Sequence, residues 1–278
     1  MTSVMETGDF KRVCDYVSRV EKVVSDFGIY PRRLGLAIYD SVALTLISKA
    51  FALSRSVLLL IGNGYPDEAY GLSRSLFECS AALRYMTAEP RMRDERATEF
   101  VVFGEADKRY WLEQCRQSIT DGDKLKDIEE YAAQLQLDTR FPNPRAALGH
   151  WSSLGRGFAW KVLEDDHPQD ADTYHRERRK AQYAVDYHAT SQYVHCSERG
   201  VANYAQEPTR IYTVPAHGGN TVDNTAPKAL FVVCIHLHLV LRHALFGLDT
   251  DPPKEVDALF SKVIDELSFI TPHRKPSP

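Results

Sequence analysis

Residues 41–61 read SVALTLISKAFALSRSVLLLI, an apolar run long enough to cross a bilayer, bounded by Asp40 on one side and Gly62 on the other. How this stretch is read decides the fold. It carries Lys49, Arg55 and four serines. A Lys or Arg near the middle of a span costs about 2.5–3.5 kcal/mol on insertion scales, so the expectation is a buried helix of a soluble protein with no membrane partner.

Outward from that run the chain is punctuated like a helical bundle. Gly62-Asn63-Gly64 supplies the left-handed conformations of a tight turn, and Pro66 opens a helix over about 67–87 that carries Tyr70, Leu72, Leu76, Phe77, Leu83 and Tyr85. Upstream, Val13, Tyr16, Val17, Val20, Val23 and Val24 recur at spacings of three and four over about 9–26, Gly28 ends that helix, and Pro31 suits the first position of the next. Further helices are expected over about 91–118, from Asp121 or Asp123 to about 137, and over about 174–200, 225–246 and 253–270. Stretches rich in Pro and Gly at 138–172 and 203–227 read as loops, and such long connections are often functional. Only IYTV at 211–214 resembles a strand. The expected architecture is all-α: a single helical domain over 1–271 with about seven helices, two long loops capping one end, and a polar tail at 272–278. Self-association through an apolar helix is expected as well.

Composition agrees with a globular chain: 278 residues, 44% hydrophobic and 26% charged. The 34 basic and 38 acidic residues leave a net charge of −4, so no global positive field recruits nucleic acid or anionic membrane. Five cysteines, Cys14, Cys79, Cys115, Cys196 and Cys234, are odd in number and never form CxxC, which argues against a disulfide framework or a structural zinc site. The amino-terminal residues have no apolar stretch behind a basic start. A reducing cytoplasm is the expected compartment. P-loop, GxSxG, GxGxxG and HExxH patterns do not occur, so kinase, α/β-hydrolase, Rossmann and zincin chemistry lack their sequence hallmarks.

Two short patterns stand out. Arg74-Ser75-Leu76-Phe77-Glu78 lies on the helix after the turn, and Tyr187, Ser191 and His195 recur every fourth residue on the late helix. With these motifs, the span from about Leu36 to Ser197 resembles a family of bacterial all-helical proteins known only as a domain of unknown function. The resemblance implies an all-α fold and a shared polar site, and carries no activity with it.

Read from the residues themselves, Arg74 and Glu78 are i and i+4 and share a helix face, while Tyr187, Ser191 and His195 form a slowly drifting stripe. If the two stripes meet, Glu78 orients His195 as an acid or base, Ser191 donates a proton or attacks, and Arg74 grips a phosphate or carboxylate. The candidate catalytic residues are therefore His195, Glu78 and Ser191, with Arg74, Tyr187, His188 and Trp151 as ligand contacts and neither metal nor cofactor required. An anionic small molecule or RNA is the expected partner, with a setting in stress response or phage defence by analogy. The competing reading makes the same residues a buried network that fixes helix register in a non-enzymatic interaction module.

Other polar features weigh less. His236 and His243 share a face at i+7 but lack the i, i+4 spacing of a zinc pair. Arg145 to His150 and Arg210 to His217 match the spacing of small helical ribonucleases of the HEPN type. With 22 arginines and ten histidines, roughly two such matches arise by chance. The basic run His175 to Lys180 reads first as a solvated face and only then as a phosphate dock.

Overall fold

The structure, a computed structural model, describes residues 8–28, 37–118, 122–134, 162 and 225–267. Among these residues it is all-α, with seven α-helices and no strand: α1 (Gly8–Phe27), α2 (Ile38–Gly62), α3 (Pro66–Thr87), α4 (Arg93–Ser118), α5 (Gly122–Gln134), α6 (Thr225–Gly247) and α7 (Lys254–Glu266), with a single 3-10 turn at Pro90–Met92. The helix expected at 174–200 and most of the two long loops lie outside the described residues.

The centre is a three-helix unit. α3 packs most extensively on α6, and α2 packs on both, while α1 and α7 pair with each other along the flank and α4 leans on α2 and α3. The periodicity of α2 explains its place: Tyr39, Ala43, Leu46, Ile47, Ala50, Val57 and Ile61 are all buried at spacings of three and four. The opposite face is exposed rather than buried, so the expected buried helix is buried on one side only. There Arg55 reaches across to Glu21 of α1 at 2.7 Å. Thr45, Ser48 and Ser56 turn their hydroxyls back onto the carbonyls of Ser41, Leu44 and Ala52 at 2.8–3.0 Å, as such residues do in helix interiors. By length and composition α2 and α6 are each apolar enough to cross a membrane. In the fold, two-thirds of the most apolar window of α6 is buried inside the bundle.

Helix ends correct the sequence reading in three places. α2 does not run from Pro31, because Ala37 is extended (φ −66°, ψ 155°) and the helix starts at Ile38. Asp40 at the third position accepts the Ala37 N–H at 3.2 Å and so satisfies one of the orphan donors. In the turn after α2 only Gly64 is left-handed (φ 85°), whereas Asn63 is not (φ −94°) and donates its side-chain amide to the Leu59 carbonyl. α7 stops at Glu266, since Leu267 is extended and fully buried. Gly28 does end α1, at φ 60°.

The carbonyl end of α6 is held by two helices that precede it in sequence. Tyr39 of α2 donates its hydroxyl to the His243 carbonyl at 3.1 Å, and Arg93 of α4 donates to the Gly247 carbonyl while lying over the Tyr39 ring. A cation at a helix carboxyl end also complements the dipole there.

Candidate functional site

Of its 22 residues, α3 buries 16, and the most accessible stripe after its first turn carries Leu72, Arg74, Ser75 and Glu78. Arg74 Nε meets Glu78 Oε1 at 2.9 Å, as the i, i+4 spacing predicts. Their exposures differ: the Arg74 side chain is 17% exposed and Glu78 is 50% exposed. The guanidinium therefore lies against the bundle while the carboxylate opens to solvent. Next to them Cys79 is buried, which pushes its thiol up to about 11, with Lys49 of α2 pulling it down and Glu78 pushing it further up. Lys49 of α2 thus acts on Cys79, the residue next to Glu78. Sequence reasoning missed this because Lys49 comes from another helix, and it treated that residue only as an obstacle to membrane insertion.

The seam between α3 and α6 contains two buried polar ties. Asp67 Oδ1 accepts the Thr225 hydroxyl at 2.5 Å, and both residues are essentially inaccessible. Ser80 Oγ lies 2.8 Å from His236 Nδ1 and 2.8 Å from the Phe77 carbonyl. A hydroxyl has one proton, so placing it on the carbonyl and letting His236 donate from Nδ1 satisfies both contacts. Phe77 also presents an edge to the His236 ring at 5.1 Å. His236 is therefore engaged in the core, and among the described residues no group of three His, Cys, Asp or Glu side chains is placed to hold a metal ion.

His238, one turn after Cys234 on α6, meets α7. Its ring stacks flat on Phe260 at 3.9 Å, and Nε2 lies 3.6 Å from Asp257 Oδ1. No carboxylate is near His238 in sequence, so spacing gave no signal of this contact. His243 sits near Arg84 and Arg242, and burial first, then those two cations and His238, lower it to about 4.

Of the residues expected to build the polar site, Arg74 and Glu78 are described and paired. Tyr187, His188, Ser191, His195 and Trp151 lie outside the described residues, as do Arg145, His150, Arg210, His217 and the basic run 175–180. No curated protein and no solved structure matches the chain. Residues 40–210, more than half of its length, do match a known family, and that span takes in both the Arg74–Glu78 pair and the Tyr187 to His195 stripe. The chain thus belongs to a family of unknown function, DUF5677.

Proposed function

We propose that this protein binds an anionic ligand, of the class of a nucleotide or an RNA phosphate, in a polar pocket bordered on α3 by Arg74 and Glu78. The late segment completes the pocket with Tyr187, Ser191 and His195, and His188 and Trp151 make further ligand contacts. The observation that carries the reading is the placement of a charged pair on the accessible stripe of an otherwise buried helix. An anion docking at this pair would meet the planar guanidinium of Arg74, whose fork geometry suits bidentate recognition of phosphate or carboxylate. Hydrolysis is the extension of this reading: Glu78 orients His195, which takes the proton from water or from Ser191 and returns it to the leaving oxygen. A cytoplasmic, self-associating protein is part of the same proposal.

A second reading has its own support. Asp67–Thr225 and Ser80–His236 show that α3 uses polar side chains to lock its seam, and Arg74–Glu78 is then one more such tie in a non-enzymatic interaction module. Melting curves separate the two. An i, i+4 ion pair is worth about 0.2–0.5 kcal/mol, and a chain of this size loses about 2–4 °C per kcal/mol. Under the binding reading Arg74→Ala, Glu78→Ala and His195→Ala melt within about 2 °C of wild type. They also lose the several-degree rise that a nucleotide or an RNA oligonucleotide gives the wild-type protein. If each variant melts far lower and no anion shifts the wild type, the residues are structural.

A further inference from the structure

α7 is held more lightly than any other element of the flank. Of its 13 residues only Val256 and Val263 are buried. Its seam with α1 is loosely filled: one cleft of about 330 Å³ runs beside Arg19, Lys22, Glu255 and Leu259, and another of about 90 Å³ lies between Arg12, Asp15, Lys262 and Glu266. The ion pair across that seam, Arg12 with Glu266, is long at 3.8 Å and more than 40% exposed on both sides. Such a pair contributes little. The firmest polar and aromatic attachment of α7 is to α6, through His238.

That attachment depends on the charge of one ring. The His238 side chain is 7% exposed, covered by Phe260, and its Nδ1 is buried with no hydrogen-bond partner among the described residues. A neutral imidazole with its proton on Nε2, facing Asp257, leaves Nδ1 as a bare acceptor, which is tolerable. A second proton on Nδ1 would be a buried donor with nothing to receive it. Among the described residues the acid that faces this ring is Asp257 on α7, 53% exposed and beyond hydrogen-bond range at 3.6 Å. Arg242 and His243 lie on α6 with Cys234 one turn before, and Tyr16 of α1 contributes a buried hydroxyl that also has no hydrogen-bond partner among the described residues. None of them compensates a buried imidazolium fully.

We propose that α7 is a latch over α1 and α6, held shut by the neutral His238 ring stacked on Phe260 and released when that ring is protonated. Undocking α7 strips Phe260 and Asp257 from His238 and opens the ring to water, where the imidazolium is stable. Burial lowers the docked His238 to about 4 from an ordinary 6.5, against the pull of Asp257 and with a push from Arg242. The sign follows: both states are neutral above 6.5, the undocked state takes the proton first as the pH falls, and the docking preference is lost between about 6.5 and 4. Each pH unit in that window shifts the balance about tenfold toward the open latch. The apolar seam of α1 and α6 is what opening would uncover.

Hydrogen exchange on the full chain tests this. Between pH 7.5 and 5.0, after correction for intrinsic rates, residues 254–266 lose about 30-fold in protection while α3 keeps its own. In His238→Phe, which preserves the stack and cannot titrate, α7 stays protected at pH 5.0 although His243 is still present. Equal loss in wild type and His238→Phe, or loss in α3 and α7 together, overturns the proposal. Should His238→Phe fail to fold, the ring resonances of His238 decide. Titration in the same pH step that frees α7 supports the latch, and titration with α7 still protected rejects it.

Discussion

Gly247→Ala lowers the melting temperature by about 2–12 °C, the loss expected when extra volume is forced into a packed site at about 1–3 kcal/mol. A Cβ built at Gly247 would stand 2.2 Å from the Tyr39 hydroxyl and 2.3 Å from its ring carbon, far inside contact distance. Tyr39 has nowhere to go. It is fully buried, bonded to the His243 carbonyl and covered by the Arg93 guanidinium. Gly122 is the control within the same protein: a Cβ there meets nothing within 4 Å, so Gly122→Ala is neutral or stabilising by helix propensity, up to about 1 kcal/mol. The cycle with Tyr39→Ala completes the test, because the double variant should be more stable than additivity predicts by at least about 1 kcal/mol. A Gly247→Ala protein that melts within a degree of wild type would falsify the clash.

Thr225→Val costs about 1.5–3 kcal/mol, read as a fall of several degrees in the melting temperature. The substitution keeps the shape of the side chain and removes the donor that the Asp67 carboxylate holds at 2.5 Å in a site of about 1% exposure. Asp67 keeps its other interactions, so the protein is weakened rather than unfolded. Thr225→Ser, which restores the hydroxyl, should stay close to wild type. The pair Asp67→Leu with Thr225→Val should recover part of the loss, since removing both polar partners leaves no uncompensated charge in the seam. If Thr225→Val and Thr225→Ser melt together, the contact contributes nothing and the seam is held by its apolar residues alone.

Much of this fold is legible along the chain, and the reason is periodicity. Val13, Tyr16, Val17, Val20 and Val24 are spaced for one face of a helix, and that face is the buried one. Pro66 and Gly64 mark a turn that the backbone makes. What spacing does not encode is which faces meet. The seam of α3 and α6 joins residues more than 150 positions apart, and no local pattern connects Asp67 to Thr225 or Ser80 to His236. The start of α2 was misplaced for a related reason: Pro31 is a permissive signal, whereas the side chain that caps the helix, Asp40, acts three residues inside it. In the candidate site, Arg74–Glu78 was readable because both partners lie on one helix. The influence of Lys49 on Cys79 was not, because it depends on how α2 and α3 cross.

The order of synthesis gives the Tyr39 and Arg93 cap a kinetic meaning. These two side chains grip the end of a helix that lies 204 and 154 positions further along the chain, at His243 and Gly247. At about 5–20 residues per second, the ribosome needs roughly 8–30 s after finishing α3 before α6 is complete. Through that interval α2 and α3 can pair with each other, but the apolar surfaces that α6 will cover stay open to water and to other nascent chains. Non-local closure of this kind makes folding slow for an all-helical protein. Aggregation of a chain truncated before α6 is the expected cost of placing the central helix so far downstream of the helices that it covers.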